Sequence, residues 1–203
     1  MDKWLFIQLN QWAGWGYWFD YPAWFLAQYG VVLFVGLLLV RWFLPGARPR
    51  QARRTVILAM AGSLIALGLN EVISFFFYRP RPFMVMPQAF LLLRHRAQPS
   101  ASFPSRDASV LFTAAAIMGW RSPLWGWLLW PLAFLSSFGR VFGGMHYPLD
   151  IAGSLLFALL VAWFLDLLLP DLEPALDRLV YLLSPGTVPA GKGPQPPAGE
   201  SSD

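Results

Sequence analysis

An all-α integral membrane bundle of about five transmembrane helices, preceded by an N-terminal interfacial helix, is predicted by three observations. The first is composition: the 203 residues are 57% hydrophobic and 13% charged, against roughly 25% charged in a soluble domain. The second is that charge collects between long apolar runs rather than along one helix face. The third is aromatic content, with 11 Trp and 17 Phe, which suits interfacial belts and a packed membrane bundle.

A helix needs about 20 apolar residues to cross the hydrocarbon core. Residues 24–44, 55–78 and 149–169 meet that length. Residues 105–120 and 123–138 are shorter, but the first opens with the helix-start pair Pro104-Ser105. In the opening segment Lys3, Gln8, Asn10 and Gln11 interrupt any spanning run, so a helix lying in the interface is expected there. No basic n-region with a clean apolar core and small-residue cleavage site is present, so no cleaved signal peptide is read. Residues 1–183 read as one membrane-embedded domain. From Ser184 onward Pro, Gly and Ser dominate, which predicts a disordered cytoplasmic tail.

Orientation follows from the loop at residues 46–54, which carries Arg48, Arg50, Arg53 and Arg54. The positive-inside rule places it in the cytoplasm, and residues 79–106 and 140–150 then face outward. The net charge of +4 comes mainly from arginines in loops, not from the basic stripe on a soluble face that nucleic-acid binding requires. With no Cys, disulfides and thiolate metal sites are excluded.

Three loop clusters carry candidate chemistry. The run GRVFGGMHYPLD (139–150) spaces Arg140, His146 and Asp150 at one membrane boundary. Pro148 suits the first turn of a helix, so His146 lies just before it and Asp150 within it. A carboxylate there can hydrogen-bond one imidazole nitrogen and leave the other free to attack phosphorus. Arg140 can neutralise phosphate oxygens. The plainer reading is a loop histidine beside a helix-capping Asp.

In FPSRD (103–107), Ser105 is a natural N-cap. Its hydroxyl and the neighbouring amides, with Arg106, can hold a phosphoryl group, or the pair Pro-Ser merely starts a span. In YRPRPF (78–83), Arg79 and Arg81 are flanked by prolines. They can bind a diphosphate or simply snorkel among head groups. Glu71, two turns earlier, can tie down one of these arginines or be only structural. His95 is the one other histidine.

Together the three clusters resemble the type-2 phosphatidic acid phosphatase superfamily, in particular its bacitracin-resistance-type undecaprenyl-diphosphate phosphatase branch. That branch looks like LN-x-x-I…RPRPF, then SFPS, then HYP-x-D, and all three are present between Asn70 and Asp150. The resemblance implies a membrane hydrolase of undecaprenyl diphosphate that recycles the cell-wall lipid carrier. It makes His146 the nucleophile of a phosphohistidine intermediate and Asp150 the carboxylate that orients it. Arg81, Ser105 and Arg140 fall at phosphate-binding positions, with Arg79 and Arg106 beside them. It also implies no metal or other cofactor, a lipid substrate within the bilayer, and a bacterial cytoplasmic membrane with the site outward.

Two departures stand out. The superfamily's lysine, seven residues before the Arg-Pro arginine, would fall at Ser74 or Val72. Where the family closes its middle motif with an acid histidine, this chain has Asp107. Three routes stay open at this stage. Asp107 is protonated and serves as the acid, His95 supplies the proton, or turnover is impaired. The alternative functions are action on another lipid phosphate, by hydrolysis or phosphoryl transfer, and binding of lipid phosphate without turnover.

Overall fold

The computed structural model describes residues 1–44, 48–94 and 99–183. Proline opens three of the long helices, where its missing N–H leaves no bond unmade. These are α3 (Pro49–Phe76), α6 (Pro123–Phe142) and α7 (Pro148–Leu167). The remaining helices are α1 (Asp2–Asn10), α2 (Tyr17–Phe43), α4 (Pro82–Val85), α5 (Arg106–Arg121) and α8 (Leu169–Leu183). Among the described residues the only extended pairing is an isolated bridge between Pro80 and Ala101. All five predicted spans are helical, and α2, α3 and α7 are long and apolar enough to cross a membrane.

The short α5 is the centre of the bundle, packed against α3, α6 and α7. Its residues Leu111, Phe112, Ala115, Ala116, Ile117 and Met118 are fully buried. Surrounded by protein, α5 does not need the uniformly apolar surface of a lipid-facing helix, so it tolerates Ser109 and Thr113 inside. Polar side chains on one face of α3 hold it in place. Ser63 Oγ donates to the Val110 carbonyl at 3.1 Å, and Asn70 Nδ2 to Ser109 Oγ at 3.1 Å. Ser74 Oγ donates to the Phe103 carbonyl at 3.1 Å. Such interhelical bonds are each worth about 0.6–2 kcal/mol in membranes. Outward, α2, α3 and α7 present exposed Val32, Leu39, Leu64, Val72, Leu156 and Phe164.

The predicted N-terminal helix is present and is also anchored to the bundle. Only residues of α1 are helical, and it packs on α6 and α7 with Phe6 fully buried against Tyr147. Asn10, read in sequence as an interruption, is a buried clasp. Its Nδ2 donates to the carbonyls of Phe90 and Phe142 (2.9 and 2.7 Å), and its Oδ1 accepts from the Phe90 N–H at 2.7 Å.

Two helices, α4 and α8, correspond to neither a predicted span nor the predicted N-terminal helix. The second is pinned to the start of α3 by Arg54, which bonds Asp177 and lies 3.5 Å from Glu173. The predicted tail, residues 184–203, and His95 fall outside the described residues.

The α5–α6 turn depends on backbone contact. A Cβ on Gly126 would lie 2.9 Å from Gly119 Cα, a separation real side chains do not adopt. Gly126→Ala should therefore lower stability by about 1–3 kcal/mol, although Ala is the better helix former by up to about 1 kcal/mol. Thermal unfolding in detergent reads this, and an unchanged or raised midpoint contradicts the close packing.

Candidate active site

The C-terminal end of α6 and the N-terminal ends of α5 and α7 meet at one end of the bundle, beside the loop that follows α3. That geometry brings all three sequence clusters together. The chain leaves α6 through Gly143 and Gly144, the latter at φ +83° and packed on the Phe90 carbonyl so closely that a Cβ has no room. Two residues later His146 points inward with 2% exposure.

The imidazole is held by a backbone carbonyl, not by the predicted carboxylate. Nδ1 lies 2.8 Å from the Ser102 carbonyl, whereas the nearer Asp150 oxygen is 3.8 Å away, beyond hydrogen-bond reach. Since a carbonyl only accepts, Nδ1 carries the proton and Nε2 keeps its lone pair. Burial, then the nearby charges of Arg81 and Arg140, hold the His146 pKa well below the ordinary histidine value. The ring is therefore neutral at pH 7, and the 3.8 Å approach to Asp150 is not an ion pair.

Asp150 is committed elsewhere, which is why it does not bond the ring directly. Fully buried, it accepts from the Tyr147 N–H at 2.8 Å, capping α7, from Ser102 Oγ at 2.5 Å and from Arg79 Nη1 at 2.8 Å. It reaches His146 through Ser102, whose hydroxyl it fixes and whose carbonyl holds the ring. Nothing in the sequence singled out Ser102 beyond its place in SFPS, because the contact uses a main-chain oxygen that every residue has.

Arg79 spends its fork on carboxylates and stacks on a ring. Its Nη2 donates to Asp2 at 2.5 Å, its Nη1 to Asp150, and its guanidinium lies 3.9 Å from the Tyr147 ring centroid. Burial opposes the charge, but Asp2 and Asp150 outweigh it and hold the pKa above the ordinary arginine value.

Arg81 differs. It is 8% exposed, and among the described residues its one side-chain hydrogen bond is a long 4.0 Å approach to Met145 Sδ and its Nε has no partner. Burial and the like charge of Arg106 lower its pKa from the ordinary value.

Ser105 stands at the N-cap of α5 as predicted, yet its side chain makes no capping bond. Its backbone N–H instead donates to Ser154 Oγ at 2.8 Å. The fully buried Ser105 Oγ has no partner among the described residues. Buried polar groups without partners cost about 1–3 kcal/mol each. Two of them beside a neutral imidazole at a helix N-terminus make a cradle suited to an oxyanion.

Arg106 sits 3.2 Å from Glu71, with both side chains about half exposed, so the arginine that Glu71 meets belongs to the middle cluster and is not the expected Arg79 or Arg81. Arg140 is buried, donates to the Ala27 carbonyl at 2.8 Å and forms an ion pair with Asp107. Sequence placed Asp107 at the acid position, and the fold pairs it with a cation.

A direct check of this electrostatic picture is available because the chain has two histidines. In a 15N-histidine NMR titration, with His146→Gln for assignment, His146 should stay neutral through the ordinary value of about 6.5. Its depressed pKa means the unfolded chain binds the proton first, so this residue lowers stability as pH falls below about 6.5. Half-protonation near that value overturns the assignment.

Residues 53–172 match the family model of the PAP2 superfamily. The undecaprenyl-diphosphatase BcrC of Bacillus subtilis is 32% identical over 158 residues, covering 78% of this chain and 79% of that protein. An undecaprenyl-diphosphatase of Sulfolobus acidocaldarius is 34% identical over 135 residues, covering 65% of this chain and 62% of that protein. The crystal structure of Aquifex aeolicus LpxE superposes with a TM-score of 0.63 at 25% identity, covering 80% of this chain and 93% of that one. On the matched residues and on identity across most of its length, the chain belongs to the PAP2 superfamily.

Proposed function

We propose that this chain is a membrane phosphatase that hydrolyses undecaprenyl diphosphate to undecaprenyl phosphate and phosphate. The observation that carries the reading is the neutral, buried His146, its Nδ1 proton held by the Ser102 carbonyl, among arginines and beside the unsatisfied Arg81 Nε and Ser105 Oγ. The relatives named undecaprenyl-diphosphatase support the substrate.

The chemistry follows from that geometry. Nε2 of His146 attacks the terminal phosphorus, and a P–N bond forms as the P–O bond to the lipid monophosphate breaks. The Ser102 carbonyl supports the Nδ1–H as the ring gains positive character, and the Asp150 carboxylate steadies Ser102 and adds its charge at 3.8 Å. Arg81, Arg140, Arg106 and Ser105 take the equatorial oxygens. Water then cleaves the phosphohistidine, releasing inorganic phosphate and neutral histidine. No step requires a metal or other cofactor. Arg79 acts at one remove, by locking Asp150.

Asp107 favours a diphosphate over a monoester. A carboxylate paired with Arg140 is a poor proton donor, and an alkoxide leaving group needs one. A phosphate monoester, with a second pKa of about 6, leaves near neutral pH without it. The same ion pair supports a second reading, a chain that binds lipid monophosphates in the cradle but turns them over very slowly.

Residues 1–183 form the catalytic domain in this proposal. Arg48, Arg50, Arg53 and Arg54, at the start of α3, lie at the opposite end of the bundle from His146. With those arginines inside, the site in this proposal faces the extracytoplasmic side of a bacterial cytoplasmic membrane, where the emerging diphosphate head group would meet it.

Phosphate release from undecaprenyl diphosphate in detergent tests the core of this reading. His146→Ala should abolish it in a protein that remains folded. Ser102→Ala, which keeps the carbonyl but frees Asp150, should lower it by about tenfold, as expected for a lost charge-assisted bond. Full activity in the His146 variant sinks the nucleophile.

The leaving-group argument makes a separate prediction for Asp107→His. Restoring an acid should raise hydrolysis of a lipid monophosphate by about 10²–10⁴-fold and change diphosphate hydrolysis far less. An equal gain on both substrates would show that the diphosphate also needs the proton.

A further inference from the structure

A second basic site lies at the far end of the bundle from His146. There α2 and α5 end and α3 and α6 begin, enclosing a cavity of about 320 Å³. That is at the low end of the roughly 300–1,000 Å³ range of ligand pockets. Arg41, Arg48 and Arg121 line it together with Gln51, Thr55 and Ser122, and among the described residues no carboxylate does.

Helix dipoles account for only part of this charge. Arg41 and Arg121 sit in the last turns of α2 and α5, where a cation is favoured. Arg48 is the N-cap of α3, the end at which a cation is disfavoured, and the first turn of α3 has no acidic residue. Arg121 is ion-paired with Asp166 at 2.5 Å. Arg41 lies 5.8 Å over the Trp125 ring, and among the described residues neither it nor Arg48 has a carboxylate partner. Arg41 and Arg48 thus converge on the cavity beside amide and hydroxyl groups, with Arg121 next to them, an arrangement that favours an anion from outside the chain.

We propose that this cavity binds a phosphate group at the membrane boundary, as a site separate from the catalytic one. Guanidinium forks match phosphate oxygens. Basic pockets between spanning helices are where phospholipid head groups dock. The same chemistry would take the phosphodiester of an anionic lipid or free phosphate.

Native mass spectrometry of the full chain in detergent, titrated with phosphatidylglycerol or phosphatidylcholine, tests the site, with calorimetry for inorganic phosphate. Phosphatidylglycerol should bind preferentially. Arg41→Gln with Arg48→Gln should weaken it by about tenfold or more, while Arg50→Gln, an exposed neighbour outside the cavity, should change it by less than about twofold. Phosphate that binds alone and displaces the lipid identifies the phosphate group as the ligand from either source. Lipid that resists displacement identifies the phospholipid.

Equal losses in the Arg48 and Arg50 variants mean diffuse surface attraction and overturn the site. So does an absence of both lipid preference and phosphate binding. Retained phosphatase activity shows that the variants are folded. Should the double variant fail that check, Arg48→Gln alone, at an exposed residue, carries the comparison.

Discussion

The buried carboxylate of Asp150 is the joint on which the active end of the bundle depends. It caps α7 through the Tyr147 N–H, receives the Ser102 hydroxyl and pairs with Arg79, which in turn holds Asp2 of α1. A buried carboxylate is costly unless its oxygens are satisfied, and here each partner comes from a different chain segment. Satisfying one side chain thus brings the N-terminal helix, the loop after α3, the segment before α5 and the start of α7 into one arrangement. Ser154, one turn along α7, extends it by accepting the Ser105 N–H and donating to the Asp150 carbonyl.

In the proposed mechanism His146 is the nucleophile, and it inherits its state from this frame. A histidine exposed to water spends much of its time protonated near pH 6.5. At 2% exposure, and with Arg81 and Arg140 nearby, His146 is kept neutral, while the Ser102 carbonyl selects the tautomer with Nε2 available. In that proposal the same arginines that suppress its charge also attract the substrate anion. Nucleophile activation and phosphate binding are therefore one electrostatic arrangement rather than two.

In the proposed mechanism Asp107 serves as a counter-ion rather than a proton donor. Placed at the start of α5, where a negative charge is favoured, Asp107 pairs with Arg140 from the end of α6. The pair steadies a buried guanidinium that a bound phosphate would otherwise have to neutralise alone. It also sets a chemical limit, because the site is suited to leaving groups that depart as anions.

The helical membrane fold was legible from the sequence because lipid demands long uninterrupted apolar runs, and the clusters at their ends were legible because charges are confined to the boundaries. His146, Arg81, Ser105 and Arg140 could be picked out for that reason. The amphipathic α8 was not, since it is held to the bundle by a pairing with Arg54 far away in the chain. Nor was the role of Asn10, which acts through backbone groups of Phe90 and Phe142. Only the tertiary structure decided that a main-chain carbonyl of Ser102 holds the histidine, that Arg79 serves carboxylates, and that Asp107 meets Arg140. Each of those is a contact between distant segments, fixed by how the helices pack and carrying no local pattern of residue types.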